Sequence, residues 1–192
     1  MDVDVVGSEA SGSADERAFR AVRLRENSAT YAPSMGEAQD RLGRLLKEVW
    51  GPALRELGFT GSGKVWTVPD ERDWAMLGFQ TSQASTGDEA KFTVNLMVVG
   101  KAAWDEASSR HRHYPAKPSP NTIALHRYVQ RAGHLTHGHD HWWRLAGDGN
   151  NESQIGEEVL NALRDVIAPK LIREMTDQTP GPRGTFENVK RG

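Results

Sequence analysis

The sequence predicts an α+β domain in which an antiparallel sheet of about four to five strands packs, in two layers, against an N-terminal and a C-terminal amphipathic helix. Three observations predict it. Leu42, Leu45, Leu46, Val49, Ala53, Leu54 and Leu57 recur at three- and four-residue steps, which places them on one helical stripe. Ile155, Val159, Leu160, Leu163, Val166, Ile167, Leu171, Ile172 and Met175 repeat that spacing near the other end. Between the two lie short runs rich in β-branched and aromatic residues, separated by turn-forming segments. Helix, antiparallel strands, helix is the order of an α+β fold.

The elements follow in order. Residues 1–33 are rich in Ser, Ala, Gly, Glu and Arg with few apolar side chains, so a disordered leader is expected there. A single domain is expected over residues 34–175. Ser34 with Glu37 three residues later has the pattern of a capping box, and the first helix is expected to start behind it. Pro52 lacks an amide to donate and must kink or restart that helix, which Gly58 ends. Strands are expected at 64–68, 74–82 and 91–99, joined by the turn material PDERD and QASTGDEA. Because side chains alternate across a sheet, Ala75, Leu77 and Phe79 should face the helices together with Phe92, Val94, Leu96 and Val98. A short helical turn is expected around Trp104, then a proline-bearing loop, a fourth strand at 126–135 and a fifth at 141–146, whose Trp143 and Leu145 complete the core. Pro169 should bend the final helix, and residues 176–192 read as a second disordered tail.

In this framework LLKEVWGPALRELGF followed by a Gly/Ser-Gly-Lys turn and Trp66, then GFQTS, FTVNL, HWWRL and a last helix with an internal proline, resembles the bacterial domain-of-unknown-function family 4304 (DUF4304). The resemblance runs from about Leu42 to Met175. It implies a compact domain and brings no activity, cofactor or partner with it. The histidine-rich insert before Trp142 departs from the pattern.

Composition excludes several classes. The formal net charge of -2 supplies no global positive field, which argues against general nucleic-acid binding. The absence of cysteine removes disulfides, thiolate ligands and Cys nucleophiles, and fits a reducing, cytoplasmic setting. The start MDVDVVGSEASG lacks the charge and apolar core of a signal peptide, and no run approaches the ~20 apolar residues of a membrane span.

Four segments carry candidate chemistry. GFTGSGKV, residues 58–65, fits GxxxxGK, but a helix precedes it, a strand follows, and Val65 stands where a phosphate loop needs Ser or Thr. It reads as a glycine cap and a turn. HLTHGHDH gathers His134, His137, His139, Asp140 and His141, residue types that can hold a divalent metal ion, although an exposed polar loop has the same pattern. Arg110, His111, Arg112, His113 and Lys117 form a cationic loop able to hold a phosphate or an acidic group, or simply to be solvated. On the sheet face away from the helices, Trp66, Trp74, Met76, Gln80, Thr93, Asn95 and Met97 combine apolar area with hydrogen-bonding groups, the mixture of a ligand- or partner-binding face. The same face could instead be covered by the loop from 101 to 125, with Gln80 and Asn95 bonded to its backbone.

No Ser-His-Asp order and no paired-carboxylate motif stands out, so the sequence leans away from an enzyme. The reading it favours is a non-catalytic binding or protein-interaction module of accessory or immunity type, with a protein or small-molecule partner and no resident cofactor. The competing reading is a metal-dependent hydrolase in which His137, His139, His141 and Asp140 hold a divalent metal.

Overall fold

The computed structural model describes residues 36–122 and 124–184. The expected leader, Ser34 and residues 185–192 lie outside them. Helix α1 covers 37–56, beginning at Glu37 behind Gly36. The strands are β1 (Thr60–Ser62), β2 (Val65–Val68), β3 (Asp73–Thr81), β4 (Glu89–Gly100), β5 (Tyr128–Arg131) and β6 (Trp143–Ala146). Helix α2 (Lys101–Arg110) follows β4, α3 (Ala132–Thr136) follows β5, and α4 covers 152–176.

All strand pairings are antiparallel, in the order β1-β2-β3-β4-β5, with β6 also on β4. Asn95 to Val98 of β4 pair with β5, and Glu89 to Phe92 pair with β6. Thus β5 and β6 are two halves of one strand lying against a single neighbour. Only Thr93 and Val94 separate the two pairings on β4, so residues 132–142 leave the sheet at that point and return to it. The expected fourth strand therefore ends at Arg131: its second half, Ala132–Thr136, is helical.

The helix-facing side is as alternation requires. Ala75, Leu77, Phe79, Phe92, Val94, Leu96 and Val98 are buried in one cluster with Leu42, Leu45, Leu46, Leu54, Val159, Leu163, Ile167 and Leu171. Trp143 and Leu145 complete it. Each long helix contains a π-helical turn just before its proline: Leu45–Trp50 ahead of Pro52 and Leu163–Ile167 ahead of Pro169. A proline cannot donate the α-helical bond, and a π turn shifts the bonding by one residue where that donor is missing. The extra residue also moves the phase of the stripe. Trp50, not Val49, faces the core, and Val49 and Ile172 are exposed.

Residues 177–184 also depart from the expected tail. Arg183 accepts from the Val129 amide (3.0 Å), donates its own amide to the Arg127 carbonyl (2.8 Å), and forms a bridge to Tyr128. Its guanidinium holds the buried Glu174 carboxylate (3.0 Å), which Lys170 also holds (2.7 Å). Burial works to raise the Glu174 carboxyl, but these two hydrogen bonds outweigh it and keep it below the ordinary glutamate range. No described helix is long and apolar enough to cross a membrane.

Candidate functional site

Alternation sends Trp74, Met76, Gln80, Thr93, Asn95 and Met97 to the second sheet face, and Met76 and Met97 meet there across β3 and β4. Trp66 does not join them. The turn at residues 69–72 sets Val68 opposite Ala75, which puts Trp66 opposite Leu77 and under α1, where it is buried in the main core. Nor is the face an open groove: of its expected residues only Trp74 and Gln80 keep partial exposure. Trp104 of α2, with Tyr114 and Ala124, packs on Met76, Met97 and Val99. This adds a partial cover opposite the helix pair. Asn95 donates to Gln80 Oε1 (2.8 Å) and to Asn121 Oδ1 (3.0 Å), and Asn121 donates to the Phe79 carbonyl (3.2 Å). The covered alternative is the one the fold adopts, with the side chain of Asn121 rather than loop backbone as the partner of Asn95.

Gly78 lets the cover sit this close. A Cβ there would lie 2.6 Å from Pro120 Cγ and 2.7 Å from Asn121 Oδ1. Gly78→Ala is expected to cost about 1–3 kcal/mol by overpacking, read as a lower urea midpoint at unchanged slope. A neutral Gly78→Ala would show that the loop does not rest on β3.

One end of the covered face stays open. A cleft of about 390 Å³ is lined by Thr60, Thr67, Pro69, Asp70, Trp74, Lys101 and Lys117, among others. The half-buried Trp74 ring forms one wall. The ammonium of Lys101 lies 4.7 Å from its centroid and that of Lys117 lies 5.7 Å away, both within cation–π range. Lys101 also donates to the Asp70 carbonyl (2.6 Å). The Asp70 carboxylate accepts the Arg72 and Asp73 amides (2.8 Å each), which draw it below the usual range, the Arg72 amide most strongly. Asp73 faces inward to a two-pronged ion pair with Arg127 (2.9 and 2.8 Å). By contrast the Trp74 indole N–H is buried without any hydrogen-bond partner.

The cationic loop does not converge on one point. Arg110 pairs with Glu106 on its own helix (2.6 Å), His111 and His113 gather around Tyr114, and Lys117 turns to Trp74. Arg112 is exposed.

The histidine segment is the excursion between β5 and β6. Thr93 Oγ1 anchors its return by donating to the His141 carbonyl (3.1 Å). Gly133 is required at its start, since a Cβ there would stand 2.3 Å from the His141 amide nitrogen. Asp140 is not turned to the imidazoles: its carboxylate accepts from Arg131 (2.7 Å) and from the Trp142 indole (3.3 Å). His139 stands about 6 Å, centroid to centroid and edge-on, from His137 and His141. The metal set expected from His134, His137, His139, Asp140 and His141 therefore does not assemble as such. What does assemble is His137, His141 and Glu158, whose ligand atoms lie within 4.8 Å of one another. The His137 and His141 rings stack nearly parallel at 3.7 Å, and Trp143 Nε1 donates to Glu158 Oε1 (2.6 Å). Burial, with the neighbouring His137, pushes the His141 imidazole below its ordinary value and favours its neutral form.

The family model of a domain of unknown function (DUF4304) matches residues 50–173, more than half of the chain. The chain belongs to the DUF4304 family. Comparison with curated proteins and with solved structures gives no match. Within this DUF4304 domain, sequence reasoning missed Glu158 and Asn121. Neither has a local signal: Glu158 sits on the polar side of a helix 17 residues beyond His141, and Asn121 lies in a loop whose path over β3 no periodicity encodes. The Trp74 cleft was half legible, through Trp74 itself and Lys117.

Proposed function

We propose that the domain is a non-catalytic binding module and that the Trp74 cleft takes an acidic segment of a partner protein, in an accessory or immunity-type role in the cytoplasm. The observation that carries this reading is the Trp74 ring, which forms a wall of a 390 Å³ cleft within reach of two lysine ammonium groups while its own indole N–H stays buried and unpartnered. A buried donor without an acceptor costs about 1–3 kcal/mol. Rotation of the exposed Lys117 side chain uncovers the ring, and a carboxylate then meets the two ammonium groups; a turn of the indole, whose N–H is sealed in the free domain, adds that N–H as a third donor. The aromatic wall supplies the apolar contact, and the charges supply orientation and on-rate.

The test is fluorescence anisotropy with a labelled oligoglutamate peptide, run from low to physiological salt. Binding is expected to weaken with salt, and Lys117→Glu is expected to weaken it about tenfold, the equivalent of 1.4 kcal/mol. Equal affinity in wild type, Lys117→Glu and Trp74→Ala would remove the cleft from the account.

A further inference from the structure

The turn at residues 136–141 and the facing side of α4 bring together a second cluster of polar groups, independent of the Trp74 cleft. Thr136 Oγ1 lies 3.0 Å from the Ala132 carbonyl and 2.7 Å from His137 Nδ1; when its one proton goes to the carbonyl, it accepts from the ring. That arrangement goes with the neutral tautomer protonated on Nδ1, which leaves a lone pair on Nε2. His137 Nε2 faces Glu158 Oε1 at 3.5 Å. Two acceptors at that separation repel unless something positive stands at the site. His141 brings a further ring nitrogen, from a ring stacked on His137 at 3.7 Å.

We propose that His137, His141 and Glu158 bind one divalent transition-metal ion, with Zn²⁺ the best match to two imidazoles and a carboxylate. Zinc takes this donor set at about 2.0–2.2 Å, with ligand atoms about 3.3 Å apart, so separations of up to 4.8 Å must close by up to about 1.5 Å. The exposed His137 can rotate inward, and this opens the parallel stack so that both lone pairs aim at one point. Part of a supporting shell is in place: Thr136 Oγ1 contacts His137 Nδ1, and the Trp143 indole donates to the Glu158 carboxylate. Three protein ligands leave a fourth position for water. The ion would tie the end of α3 and the start of β6 to α4, three consecutive elements, by bridging the turn at 137–141 to a helix that packs beside it.

The experiment is calorimetric titration of Zn²⁺ into the full chain, untagged and chelator-treated, with bound metal counted by elemental analysis. One ion per chain with a micromolar or tighter Kd is expected, together with a rise in Tm on loading. Glu158→Gln, which keeps an oxygen for the Trp143 indole, is expected to weaken binding at least about tenfold, as is His141→Ala. His139→Ala should leave affinity within about threefold, because its ring stands outside the set. Absence of stoichiometric zinc, which would leave only a proton between His137 and Glu158, overturns the proposal. So does binding that survives Glu158→Gln and disappears in His139→Ala.

Discussion

Arg127→Met is expected to destabilise the domain by about 3–5 kcal/mol, because it leaves the buried Asp73 carboxylate without its partner. Asp73 begins β3 with its side chain 3% exposed, and the Arg127 guanidinium grips both its oxygens. The hydrogen bond to Asp73 in turn raises the Arg127 pKa above its ordinary value. One guanidinium nitrogen also donates to the Met175 carbonyl (3.1 Å), so the pair fastens the sheet edge to the end of α4. The loss is read from urea unfolding. Removing both charges, with Asp73→Asn added, should recover much of it, because the double variant no longer buries an unpaired ion. A loss near 1 kcal/mol for Arg127→Met alone would show that water reaches Asp73.

The second large effect is expected at Trp50. Its ring is fully buried and stacks on Phe79 at 5.3 Å and 3°, with Phe92 tilted against it at 5.6 Å. Its indole donates to the Gly156 carbonyl of α4 (3.0 Å). One side chain thus joins α1, the sheet and α4. Trp50→Ala is expected to cost about 3–5 kcal/mol through lost burial and the cavity left behind. Trp50→Phe keeps a ring over Phe79 and loses the hydrogen bond, so about 1–3 kcal/mol is expected. Equal losses for the two variants would mean that the hydrogen bond, rather than the stack, holds the helices together.

Trp50 also shows where sequence reading reached its limit. The stripe in α1 was legible because leucines at three- and four-residue steps leave no other face to bury. It fails only at the π turn, which adds a residue that ideal spacing does not contain: Trp50 takes the place expected of Val49, while Ala53 and Leu54 farther on are buried as expected. The parity of β3 and β4 was legible for the same reason as the stripe: Leu77, Phe79, Val94 and Leu96 have one dry side available. The parity of β2 depends on where Val68 meets Ala75, which four turn residues decide, and Trp66 was misassigned with it. Strand β1 carries only exposed Thr, Gly and Ser, so no alternation announced it. The GxxxxGK pattern around it is a hairpin: β1 pairs with β2, with Gly63 at positive φ between them.

The candidate sites follow the same rule. Imidazole density was visible in the chain, but which imidazoles meet was not, because Arg131 draws Asp140 away and α4 delivers Glu158 from a remote position. Likewise the mixed composition of the second sheet face was visible. Its covering is a tertiary fact, decided by the fit of Pro120 and Asn121 over Gly78.

In the proposed role the Trp74 cleft receives an acidic ligand through a donor the folded chain leaves unmatched. Proton–nitrogen correlation spectra resolve the indole N–H of each tryptophan, and Trp74→Phe identifies the Trp74 signal. On titration with the oligoglutamate peptide that signal is predicted to move downfield and saturate, while the signals of Trp50, Trp66 and Trp143, whose indoles already have acceptors in the fold, stay in place. A Trp74 indole signal that does not move while the peptide binds would contradict the account.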